Sequence, residues 1–147
     1  MSTDELFLIC NYAVMPAWLL LVFLPHHRVT QLLVHAIWVP LILTPFYIWA
    51  LFFGQPAPEG ASFGSLQGVM LLFQSPTAVL GGWIHYLIFD LFIGAWIVRD
   101  AKRRDINHWL TLPILLATLM VGPVGLMLYL LLRLAMKGTV TLAETSA

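Results

Sequence analysis

The sequence predicts an all-α polytopic membrane protein, and three observations carry that expectation. Hydrophobic residues make up 61% of the 147-residue chain, only 10% is charged, and the mean hydropathy is +0.90. A soluble domain carries about 25% charged residues, so the main solvent for this chain is lipid. Four apolar runs, at 6–24, 32–53, 78–98 and 109–132, approach or exceed the roughly 20 residues that cross a hydrocarbon core. The short connections between them predict a four-helix transmembrane bundle, one domain over 1–147.

The elements follow in chain order. The opening MSTDE is acidic where a secretory signal is basic, and no small-residue cleavage site follows, so the first run is expected to stay as a span. PHHRVTQ at 25–31 forces a tight hairpin into the second run. GQPAPEGASFGSLQG at 54–68 is rich in Gly, Pro and Ser and reads as a loop. The apolar piece 66–73 is too short to span, so it is expected to lie in the interface or to re-enter between the second and third helices. RDAKRRDINH at 99–108 is the most charged stretch. Counting cations, Arg28, Arg99, Lys102, Arg103 and Arg104 fall in the first and third loops, against Arg133 and Lys137 elsewhere. The positive-inside rule then puts the 99–108 loop in the cytoplasm, in a bacterial cell membrane, with both termini outside.

Composition also narrows the partners. Zero formal net charge offers nothing to nucleic acid, and the single cysteine, Cys10, excludes an intrachain disulfide or a cysteine-rich zinc site. The histidines His26, His27 and His35 form no close-spaced helical pair, so no metal is expected. What remains is the bilayer, an apolar ligand, and a second copy of the chain or a membrane enzyme.

The third run holds the unusual feature, because GGWIHYLIFDLFIGAWIVRDAKRR at 81–104 places Asp90 and His85 inside a span. A carboxyl in hydrocarbon needs a partner, a proton or a task. Asp90 lies about 18 Å and His85 about 10 Å from the outer end of the run, at 1.5 Å per residue. Asn11, Thr44, Tyr47 and the VGPVG stretch at 121–125 fall at comparable levels. In that stretch Pro123 removes a backbone donor, while Gly122 and Gly125 permit close approach of a helix or ligand. Trp83, Tyr86 and Asp90 share one helical stripe; His85, Phe89 and Phe92 share another, turned about 140° away. Asp90 therefore either faces a neighbouring helix as interhelical glue, bonded to Tyr47 or to a freed carbonyl near Pro45, or joins His85 in acid/base chemistry. Asp100 with Arg104 reads as an ordinary i, i+4 pair on a solvated stretch.

The string Trp83-Ile84-His85-Tyr86-Leu87, then Asp90-Leu91-Phe92, followed by Gly122-Pro123-Val124-Gly125, closely resembles the abscisic-acid-deficient-4-like family. That resemblance covers most of the chain and implies an integral membrane protein tied to conversion of the epoxide violaxanthin into the allenic alcohol neoxanthin. Such an isomerisation needs no redox cofactor. The chain is expected to be a compact bacterial-type member without the plastid-targeting extension of plant members. In this chemistry Asp90 is the acid and His85 the base, Tyr86 or Tyr47 steadies the oxygen, and Trp83, Phe89 and Phe92 pack the ring. Asn11, Gly122 and Pro123 complete the expected binding residues. Two other readings stand beside the isomerase: a non-catalytic carotenoid-binding or enzyme-supporting protein, and a proton-coupled carrier.

Overall fold

The computed structural model describes residues 1–142 and contains, among them, seven α-helices and no strand. They are α1 (Thr3–Phe23), α2 (Arg28–Leu33), α3 (Trp38–Phe52), α4 (Leu66–Leu72), α5 (Pro76–Arg103), α6 (His108–Met120) and α7 (Gly122–Lys137). Among the described residues, three segments are long and apolar enough to cross a membrane: α1, the stretch Arg28–Phe52 that joins α2 to α3, and α5.

Local chemistry sets the helix ends. Ser2 and Glu5 form a reciprocal capping box at the start of α1, with Ser2 N donating to Glu5 Oε2 at 2.7 Å and Glu5 N donating to Ser2 Oγ at 3.2 Å. Ser65 caps α4 by accepting from Gly68 N at 3.0 Å, and Asn107 caps α6 by accepting from Trp109 N at 2.9 Å. At the far end of α7, Gly138 takes the left-handed conformation (φ 63°) that closes a helix. The apolar piece expected to be too short to span is the seven-residue α4.

The chain packs as two compact units that share α1 and α5. Unit 1 comprises Met1–Met15 and Ile37–Ile88; unit 2 comprises Pro16–Ala36 and the chain from Phe89 onward. Leu6, Cys10, Val14, Leu43, Leu80, Ile84 and Leu87 form the core of the first. Trp18, Leu21, Leu91, Ile97, Val98, Leu115 and Tyr129 form that of the second.

The expected fourth span, 109–132, is not one helix. It breaks at Val121, whose φ of −151° and ψ of 75° are not helical. In a straight helix residues 118 and 125 stand about 10 Å apart. Here a Cβ on Gly125 would sit 2.5 Å from the Thr118 Cα, so α7 doubles back against α6. Within unit 2, α7 then follows α5: Gly122 lies against Asp90, the Tyr129 ring meets Trp96 edge-on at 5.4 Å, and Tyr129 OH reaches Asp100. Arg104 Nη1 finally donates to Thr139 Oγ1 at 3.2 Å. The segment after α7 has therefore returned to the level of the charged loop, and the expectation that these two segments lie on opposite faces is corrected. Hydropathy sums apolarity along the chain and is blind to a reversal of direction. The far C-terminus of that expectation, 143–147, lies outside the described residues.

Candidate functional site

Unit 1 carries an open cavity of about 650 Å³ whose walls come from α3, the loop after it, α4 and the first half of α5. That volume lies within the roughly 300–1,000 Å³ of small-molecule sites. Leu51, Phe52, Phe63, Leu72, Phe73 and Ala78 make it apolar, and Tyr47 and His85 supply its polar aromatic groups. Their ring centroids are 6.1 Å apart. The sequence count that put Tyr47 and His85 on one level thus brings together an imidazole and a phenol facing the same space.

The loop wall is held by specific bonds. Ser75 Oγ and Thr77 Oγ1, both buried, donate to the Gln55 carbonyl at 3.1 and 3.2 Å, tying the end of α3 to the start of α5. Gly54 makes this possible, because a Cβ there would lie 2.5 Å from Thr77 Cβ and 2.6 Å from the Ala50 carbonyl oxygen. Sequence reading treated this stretch only as a loop. Gln55, Thr77 and Phe73, all cavity residues, carried no local signal of that role.

The other expected binding residues sort into separate neighbourhoods. Trp83 Nε1 donates to Asn11 Oδ1 at 3.1 Å, and Asn11 Nδ2 donates to the Phe7 carbonyl at 2.7 Å. Trp83 also stacks near Phe7 (5.4 Å) and Tyr86 (5.3 Å). This cluster flanks a smaller cavity of about 330 Å³, lined by Thr3, Asp4, Phe7, Phe73, Gln74 and Trp83 among others. Phe89 and Phe92 are exposed, as suits side chains that meet lipid, and the larger cavity is lined without them.

Asp90 belongs to unit 2, where it is 6% exposed and packs on the backbone at the start of α7. A Cβ on Gly122 would lie 2.6 Å from Asp90 Cγ and 2.9 Å from Oδ2. Only a glycine lets the carboxyl come this close. The first turn of a helix has unsatisfied N–H groups and a positive dipole end, so a carboxyl there is favourable. α7 has no side-chain cap of its own at Val121. Tyr47, the interhelical partner considered for Asp90, instead sits beside His85. Gly122→Ala is expected to destabilise the protein by about 1–3 kcal/mol through overpacking. Combined with Asp90→Ala it should cost less than the two single changes added together. Equilibrium unfolding in detergent measures both, and wild-type stability in Gly122→Ala would remove Asp90 from this seat.

A second polar centre in unit 2 was not legible in the sequence. Asp100 is 1% exposed, and so is Arg133. Tyr129 OH donates to Asp100 Oδ2 at 2.7 Å, and Arg104 Nε donates to both carboxylate oxygens at 3.2 and 3.1 Å. Arg103 Nη2 donates at 3.4 Å, and Arg133 Nε stands 3.6 Å from Oδ2. The solvated i, i+4 pair read from sequence is in fact a buried node. Nearby, His108 Nε2 donates to the Val22 carbonyl at 2.9 Å and Arg99 Nη1 donates to His35 Nδ1 at 3.0 Å, so these histidines fasten helix ends. Partial desolvation, followed by the charges of Lys102 and His108, holds the His26 imidazole below its ordinary pKa.

The sequence model of the ABA DEFICIENT 4-like family matches residues 5–129, most of the chain. The protein belongs to the ABA DEFICIENT 4-like family. The chloroplastic protein ABA DEFICIENT 4 of Arabidopsis thaliana is 25% identical over 111 residues, which cover 71% of this chain and 50% of that protein. The chain thus spans about half the length of this relative. No solved structure matches. The matched region contains the whole His85 cavity, the Asp90–Gly122 contact and Asp100 with Tyr129, whereas Arg133 lies beyond it.

Proposed function

We propose that this chain is an integral membrane protein of carotenoid or related isoprenoid metabolism that takes an oxygen-bearing end group into the cavity of unit 1. The observation that carries this reading is an imidazole and a phenol, His85 and Tyr47, set in an otherwise mostly apolar cavity of about 650 Å³. Apolar walls suit the ring and polyene, and the two polar groups suit an oxygen. A polyene is lipid-soluble and reaches such a cavity sideways from the bilayer, beside Gly82 and Phe73. The test is retention: wild type purified in mild detergent should carry a co-extracted isoprenoid, and Ala78→Phe, which fills the cavity, should carry at least tenfold less. An empty wild type, or equal loading of the two, rejects this reading.

A second reading adds catalysis and rests on the same pair. Opening an epoxide to an allene breaks one C–O bond, delivers a proton to the oxygen and removes one from the neighbouring polyene carbon, with no net redox change. His85 would take the carbon proton, and the Tyr47 hydroxyl would give its proton to the epoxide oxygen. Asp90 then keeps the structural seat at α7.

The membrane arrangement that fits these helices has three crossings, by α1, by α2 with α3, and by α5, with α4 at the interface and α6–α7 re-entering as a hairpin. All seven Lys and Arg residues of the chain (28, 99, 102, 103, 104, 133 and 137) belong to unit 2. The positive-inside rule puts the charged loop and the segment after α7 in the cytoplasm and the N-terminus across the membrane. Reporter fusions at Glu59, at Asp105 and after Ala147 are expected to read outside, inside and inside. Opposite readings at Asp105 and Ala147 would reject the hairpin.

A further inference from the structure

Unit 1 holds three carboxylates, Asp4, Glu5 and Glu59, and no Lys or Arg, so even with the α-amino group of Met1 counted it is a net anion. A field of that sign gathers cations at its surface. Glu5 is engaged in the capping box with Ser2. Asp4 is exposed and, among the described residues, takes part in no ion pair. It lines the cavity of about 330 Å³ at the starts of α1 and α5, and Phe7, Phe73 and Trp83 are among the other walls. Phe7 follows Asp4 by three residues, which puts both on one face of α1. The Trp83 indole is held in place by its hydrogen bond to Asn11 and by Tyr86, stacked on it at 5.3 Å. Aromatic side chains are common at membrane interfaces, but three of them around a carboxylate in one cavity make a combination that suits a cation.

We propose that this cavity binds a quaternary ammonium group, with Asp4 as its counter-ion and Phe7, Phe73 and Trp83 as its aromatic walls. The faces of Trp and Phe rings attract cations through the ring quadrupole, and methylated ammonium groups are the ligands such walls suit. Hydrogen bonding explains the preference: a primary ammonium has three N–H donors to satisfy, whereas a quaternary one presents only methyl groups. A single carboxylate then supplies the neutralising charge. The headgroup of a choline phospholipid is the source the surroundings favour. The cavity sits where two helices long and apolar enough to cross a membrane begin. Val79 and Trp83 are exposed along the following turns of α5, giving an acyl chain a path away from the headgroup. A free quaternary ammonium ion offers the same charge and methyl groups without the chain. The two cavities of unit 1 share Phe73 as a wall, but this site does not rest on the isoprenoid reading.

Full-length protein in phosphatidylglycerol nanodiscs doped with phosphatidylcholine provides the test, with retained lipids counted by native mass spectrometry. Wild type is expected to keep one phosphatidylcholine about tenfold in preference to phosphatidylglycerol, the scale of a desolvated cation–aromatic contact. Asp4→Asn removes an exposed charge at nearly constant size and should lose that preference. Phe7→Leu, which keeps an apolar wall without its π face, should weaken it. Glu59→Gln removes the same charge from another exposed position of unit 1 and should keep it. If neither lipid is preferred but tetramethylammonium, at matched ionic strength, raises the melting temperature of wild type and not of Asp4→Asn, the site stands with a free ammonium ion as its occupant. Equal phosphatidylcholine retention in wild type and Asp4→Asn, equal loss in Asp4→Asn and Glu59→Gln, or no response to either probe overturns the proposal.

Discussion

Asp100→Leu is expected to destabilise the protein by about 3–5 kcal/mol, the magnitude typical of removing one partner from a buried ion pair. The reason lies in what stays behind. Arg133, at 1% exposure, would keep its charge without the carboxylate 3.6 Å away, and the Tyr129 hydroxyl would lose its acceptor at 2.7 Å. Leucine keeps the heavy-atom count and branching of aspartate, so lost packing contacts are a minor part of the cost. Replacing both members, Asp100→Leu with Arg133→Met, should recover much of the loss, because apolar pairs of similar volume often substitute for buried ion pairs without penalty. Equilibrium unfolding of the detergent-solubilised variants measures each. A single Asp100→Leu variant within 1 kcal/mol of wild type, a margin well below the magnitude for buried pairs, would show that the node does not hold α5 to α7.

That node also marks where sequence reading stops. The i, i+4 spacing of Asp100 and Arg104 is visible on the page, but such spacing is common on exposed helices and says nothing about burial. The decisive partners, Tyr129 and Arg133, come 29 and 33 residues later, and only the reversal at Val121 brings them back. Where the relevant signal was local, it was readable: the apolar runs marked the long helices. Counting depth along the chain put Asp90 level with Gly122 and Tyr47 level with His85, and both pairs meet. The count worked for Gly122 because α6 rises from the charged loop as a span would, as far as Val121. It failed beyond that residue, where nothing in the hydropathy of LMLYLLLRL tells a helix that continues from one that returns.

His85→Gln is expected to lower whatever turnover the protein has by about 10²–10⁴-fold while leaving its accumulation and melting unchanged. His85 is an exposed cavity residue outside the unit 1 core, so glutamine keeps polarity and approximate size without disturbing packing, but it cannot accept a proton from carbon. Tyr47→Phe removes only the hydroxyl and should fall in the same range if that hydroxyl delivers the second proton. Asp90→Asn provides the contrast. Asparagine caps helix N-termini about as well as aspartate, so a carboxyl whose work is to complete the start of α7 is replaced at little cost in stability or activity. Leucine at position 90 would not serve there. The measurement is the host's carotenoid and apolar isoprenoid profile with each variant, alongside immunodetected protein, followed by turnover with purified protein. Loss of activity in His85→Gln and Tyr47→Phe with activity kept in Asp90→Asn places the chemistry in the unit 1 cavity. If Asp90→Asn accumulates normally yet loses as much as His85→Gln, the acid is Asp90 and the assignment of Tyr47 falls. Full activity in all three leaves the cavity as a binding site only, since proton transfer to and from a bound epoxide needs at least one of these groups.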